Sequence, residues 1–114
     1  MRPLPVALTW LLLICSGGAL AHAHLKESSP AEGSHLTSPP EALVLSFSEA
    51  AQLTALSLEK PDGSSARLTP PVQPQTRISV ALPRLAAGAY VVHWRALGAD
   101  GHLVPGELHF TITQ

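Results

Sequence analysis

The stretch Gly88-Ala89-Tyr90-Val91-Val92-His93-Trp94-Arg95 decides the fold class. Successive side chains of an extended strand point to opposite sides, so Tyr90, Val92 and Trp94 share one face and Val91, His93 and Arg95 the other. The same period of two recurs on both sides of it. Downstream, Leu108, Phe110 and Ile112 alternate with Glu107, His109 and Thr111 as a last strand. Upstream, Ile78, Val80 and Leu82 alternate with Arg77, Ser79 and Ala81, and Leu43, Leu45 and Phe47 with Val44, Ser46 and Ser48. Leu56 and Leu58 mark another strand, stopped by the turn signal Pro61-Asp62-Gly63, and Ser65 to Thr69 a short one. Pro70, Pro71 and Pro74 forbid continued ladder pairing, so that stretch reads as a loop or an edge. With His24 to Ser28 as the first, these make seven short strands and no segment with a helical period. That pattern implies an all-β chain folded as a seven-stranded antiparallel β-sandwich, for which Greek-key connections are the usual solution.

The first residues belong to a different kind of segment. Arg2, the apolar run from Val6 to Ile14 and the small-x-small triplet Ala19-Leu20-Ala21 read as a secretory signal peptide over residues 1–21, leaving a domain over 22–114. The apolar run is too short to span a bilayer, which takes about twenty residues. Cys15, the single cysteine of the chain, lies in that leader, so neither a disulfide nor a thiolate metal site is expected in the mature domain. A lipid anchor on Cys15 is the rival reading, and bulky Ile14 before it argues against that. Charged residues make up only 13% of the chain and the formal net charge is −1, which leaves no basic footprint for nucleic acid.

All six histidines follow the expected cut after Ala21. That cut makes His22 the first residue, with a free α-amine beside its own imidazole. Asp100 and His102 stand two apart in the expected loop Gly98–Gly106, and share a side if that segment is extended. Amine, two imidazoles and a carboxylate form a tetragonal nitrogen and oxygen set that suits Cu(II). The bland alternative is that Asp100-Gly101 is merely a turn and His102 a surface residue. A second mode uses His22-Ala23-His24 alone, wrapping the metal with the α-amine, two deprotonated amides and the His24 imidazole. It needs a loose N-terminus, whereas Leu25 argues for an anchored strand. A cut after Ala23 would instead make His24 the N-terminal ligand. His93 and His109 point away from the apolar faces of their strands and His35 sits in a polar loop, so these three read as surface residues. Because copper must displace protons from its ligands, affinity should fall below about pH 6.

Several motifs in order resemble the CopC family of secreted copper-binding proteins. They are His22-Ala-His-Leu-Lys, Ser29-Pro-Ala-Glu-Gly, Leu45-Ser-Phe-Ser-Glu49, Gly88 to Arg95, and Ala99-Asp-Gly-His102 with Gly106 after it. The resemblance spans essentially the whole mature chain. It implies a Greek-key sandwich of cupredoxin-like or immunoglobulin-like type, exported to the periplasm. It also implies one Cu(II) per chain, held by the N-terminal His22 with Asp100 and His102. Some members add a Met-rich Cu(I) site, but the only methionine here is Met1, so no such site is expected. Trp94 and Arg95 match a family motif; Trp94 continues the buried face, and Arg95 on the other face is placed to pair with a carboxylate.

Three functions compete. A monomeric carrier in copper transport, homeostasis or resistance, passing Cu(II) to a CopD-like inner-membrane transporter, is the reading the resemblance favours, with no enzymatic activity. An oxidative copper enzyme with an N-terminal His site is the second, opposed by Asp100 in a position that oxygen chemistry leaves open. A plain interaction sandwich with incidental histidines is the third.

Overall fold

The computed structural model describes residues 23–114, so the expected leader and His22 lie outside the described residues. Seven strands follow in order, with no helix among the described residues: β1 (Leu25–Ser29), β2 (Ser34–Leu36), β3 (Ala42–Glu59), β4 (Ser65–Arg67), β5 (Gln75–Ala81), β6 (Gly88–Gly98) and β7 (Leu103–Ile112). The β-sandwich class holds, but the strands differ from expectation in three ways.

The two strands expected around Leu45 and Leu56 are one, the 18-residue β3. Its first half pairs antiparallel with β1 on one side and β5 on the other, and its second half with β6 and β4. Register slips between Ser46 and Ala51, and again between Leu53 and Ala55, let one strand bend from one layer into the other, as strands at sandwich corners do. Across the join Ala51 and Leu53 are buried while Thr54 is exposed. Ser34–Leu36, expected to be loop, is β2 and runs parallel to β7, so the ladder is not wholly antiparallel. Three residues are too few to display a period. Finally, the expected loop Gly98–Gly106 is mostly strand: β6 and β7 pair continuously from Gly88↔Ile112 to Leu97↔Leu103.

Alternation puts one face of each strand inside. Leu43, Leu45, Phe47, Leu56, Leu58, Ile78, Val80, Val92, Leu108, Phe110 and Ile112 form one buried cluster. Each such side chain contributes roughly 1.5–3 kcal/mol through removal from water. Tyr90 stacks on Phe110 at 5.4 Å between centroids, and its hydroxyl donates to the Ala86 carbonyl at 2.7 Å, so the one polar atom of this ring is satisfied. Trp94 is buried as expected, and meets Phe47 edge-on at 6.5 Å. That contact ties β6 to the first half of β3. Arg95 is exposed on the other face, and among the described residues no ion pair joins it to a carboxylate.

Candidate metal centre

The β6–β7 hairpin ends in the turn Gly98-Ala99-Asp100-Gly101-His102. The Gly98 carbonyl accepts from the Gly101 N–H at 3.0 Å, and the Gly98 N–H donates to the His102 carbonyl at 3.0 Å. Gly101 holds φ at 86°, a left-handed conformation that side chains with a Cβ rarely adopt. A three-residue hairpin loop ending in such a residue is a common way to join two strands. The segment is therefore a turn and not extended, and Asp100 and His102 meet because of the turn rather than by strand alternation.

Asp100 uses both oxygens on His102. Oδ1 accepts the His102 backbone N–H at 3.1 Å, and Oδ2 stands 2.8 Å from the imidazole Nδ1. The carboxylate is sheltered, its side chain 18% exposed, while the imidazole it holds is 66% exposed. At 2.8 Å this is a hydrogen bond with the Nδ1 proton between the two atoms, so an ion that takes both atoms must displace that proton. The donor chemistry, one carboxylate and one imidazole, fits Cu(II).

Gly98 makes room for a second segment. A methyl group at residue 98 would lie 2.9 Å from Asp100 Oδ1, 3.7 Å from the Ala23 backbone nitrogen and 3.8 Å from the Ala23 methyl. The bare glycine thus accepts both the Asp100 carboxylate and the start of the described chain. Ala23 is 2% exposed and belongs to the core cluster. The next residue is pinned to β3: the His24 N–H donates to Ser48 Oγ at 2.9 Å, and the His24 carbonyl accepts the Ser48 N–H at 2.7 Å. Its side chain is exposed.

Of the residues singled out in the sequence, the fold brings Asp100 and His102 into contact and packs Ala23 beside their turn; His22 lies outside the described residues. His35 is exposed on β2, and His93 and His109 lie on the outer face of β6 and β7 paired with glutamates. Among the described residues no three His, Cys, Asp or Glu side chains converge on one point. Sequence reasoning missed Gly98 and Ala23, which bring the two segments together. The signal was a glycine two residues before Asp100, read only as a loop boundary.

Comparison with known proteins gives one consistent answer. The family model of the CopC domain matches residues 25–113. Copper resistance protein C of Escherichia coli is 33% identical over 106 residues, covering 82% of this chain and 83% of that protein. Among solved structures, CopC from Methylosinus trichosporium OB3b superposes with a TM-score of 0.68 at 27% identity, over 80% of this chain and 93% of that one. PcoC, a methionine-rich copper resistance protein from Escherichia coli, does so with a TM-score of 0.63 at 31% identity, over 82% of this chain and all of that one (100%).

Proposed function

The chain belongs to the CopC family, and from that premise we propose that it is an exported, periplasmic protein that carries one Cu(II) ion. The metal is held by the mature N-terminal His22 together with Asp100 and His102. The observation that carries this reading is the packing of Ala23 against Gly98, beside the Asp100 carboxylate. Ala23 is bonded to His22, so removal of residues 1–21 leaves a free amine and an imidazole one residue from the turn. Two segments far apart in sequence then contribute to one ion, which ties metal binding to the folded state.

His24 is the alternative ligand. A local chelate through His22, Ala23 and His24 requires deprotonated backbone amides, yet the His24 N–H is committed to Ser48. That contact and the burial of Ala23 favour the two-segment site and a cut before residue 22. The sole methionine is Met1, lost with the leader, so the carrier has no thioether ligands and holds soft Cu(I) poorly. Carriage rather than catalysis follows from Asp100, which takes a position that an oxygen-activating copper enzyme keeps open. A monomer that delivers the ion to a CopD-like inner-membrane transporter completes the proposal.

Titration of the mature chain starting at His22 with Cu(II), followed by electron paramagnetic resonance, tests it. The expected result is one tightly held ion with nitrogen and oxygen ligation, lost in His102→Ala. Retention in His102→Ala together with loss in His24→Ala would replace the two-segment site with the local chelate.

A further inference from the structure

On the outer face of the sheet, away from the turn, five side chains form an unbroken row across β3, β6, β7 and the loop before β2. Glu59 Oε1 lies 3.0 Å from His93 Nε2. His93 Nδ1 faces Glu107 Oε2 at 3.5 Å, and the other oxygen of Glu107 faces His109 Nε2 at 3.7 Å. His109 Nδ1 in turn lies 3.2 Å from Glu32 Oε2. The register produces the row: His93 sits opposite Glu107 and Val91 opposite His109, so the two imidazoles are diagonal neighbours on one face with Glu107 beside both.

The row has a direction at each ring. Both histidines turn one nitrogen outward to a glutamate at hydrogen-bonding distance, Glu59 for His93 and Glu32 for His109. Both turn the other nitrogen inward to Glu107, at distances too long for a good hydrogen bond. A carboxylate accepts only, so in the neutral ring the outer nitrogen carries the proton and the inner one keeps its lone pair. Two imidazole nitrogens, each with its lone pair in the neutral ring, thus flank the Glu107 carboxylate, one at each of its oxygens. A carboxylate behind each imidazole is the usual support of a metal-binding histidine. No lysine or arginine among the described residues forms an ion pair with the three glutamates.

We propose that His93, Glu107 and His109 form a second divalent-metal site, for a borderline ion such as Zn(II) or Cu(II), with Glu59 and Glu32 as the residues that position the two rings. Donors sharing an ion with bonds of about 2.0–2.1 Å stand about 2.9–3.4 Å apart; the inner pairs are at 3.5 and 3.7 Å. The three do not converge as they stand, and these side chains are 39%, 56% and 52% exposed, so binding an ion requires them to rotate toward it from the solvent side. The site shares no residue with the His22, Asp100 and His102 set and stands or falls without it.

The test uses the mature chain carrying Asp100→Ala and His102→Ala, so that the turn does not compete, with Zn(II) as the probe. Calorimetry is expected to show one equivalent bound. Nitrogen NMR is expected to show coordination shifts at His93 Nδ1 and His109 Nε2 with none at His35. Adding His93→Ala or His109→Ala abolishes that equivalent, and Glu59→Gln weakens it by about tenfold or more, the usual cost of losing a ring's supporting carboxylate. Both histidines point away from the core, so an unchanged melting temperature shows that the variants fold. In the wild-type chain the same two imidazoles shift as Zn(II) is added in excess. Absence of these shifts, or binding that survives loss of either histidine, overturns the proposal.

Discussion

The Asp100–His102 turn and the His93–Glu107–His109 row both offer imidazole and carboxylate, yet they are built by different means. In the turn, backbone geometry does the positioning: Gly101 at positive φ, two hydrogen bonds across Gly98, and a slot at Gly98 that the carboxylate and Ala23 fill. In the row, only strand register brings the groups together, and exposed side chains reach for one another. The turn is pre-organised, so little ordering remains when an ion arrives, and it should bind more tightly. The row must order its side chains on binding, and that cost makes it the weaker of the two.

The largest effect that distinguishes them is expected from Asp100→Ala. It removes a proposed ligand and also the contact that holds the His102 ring, so Cu(II) affinity should fall by more than about 100-fold in a competition titration while Zn(II) binding at the row is untouched. Equal loss at both would mean that the two are one site. Next, Gly98→Ala leaves every donor in place but puts a methyl 2.9 Å from Asp100 Oδ1. It should weaken Cu(II) by roughly tenfold or more through displacement of the carboxylate or of Ala23, the scale on which losing a supporting contact acts; unchanged affinity would show that the slot is incidental.

Gly106→Ala, opposite Trp94 in the fourth pair from the turn of the same hairpin, separates binding from stability. Its methyl would run into the Trp94 ring, and such overpacking costs about 1–3 kcal/mol. Chemical denaturation should show that loss, with the copper affinity of the folded protein unchanged. The smallest effect belongs to the end of the row. Glu32 accepts the His109 backbone N–H at 2.9 Å, and chiefly through that bond its carboxyl titrates below the ordinary value of 4.5. A depressed folded-state value stabilises the protein above the unfolded-state value, and the gain is lost as pH falls through the folded one. Glu32→Gln should therefore be slightly less stable than wild type at pH 7, and the difference should close progressively below about pH 4.5. A gap that stays constant down to pH 3 would rule out the carboxylate as its source.

What could be read from the sequence divides along the same line. Tyr90, Val92 and Trp94, and Leu108, Phe110 and Ile112, advertised their inward faces because a strand repeats every two residues, and the structure buries all six. β2 and the bend in β3 were not legible, since a three-residue strand has no period and a register slip hides where two alternating runs join. Asp100 and His102 stood out as a pair, but for the wrong geometric reason: alternation in an extended chain was assumed, whereas the Asp100-Gly101 turn signal and the contact were the same fact. His93 and His109 were assigned to the surface, correctly as to face. Glu107 shares a strand face with His109, but the outer partners Glu59 and Glu32 come from β3 and the loop before β2, and only the folded chain brings them to the histidines.

The account rests on a site divided between the mature N-terminus and the 98–102 turn. The most direct test compares Cu(II) affinity of the chain starting at His22 with that of the same chain extended by one alanine before His22. The extension preserves the fold, every side chain and the turn, and converts only the α-amine of His22 into an amide. Loss of tight Cu(II) binding in the extended chain is the predicted result. Equal affinity in the two chains would contradict it, because the N-terminal amine would then have no part in the site.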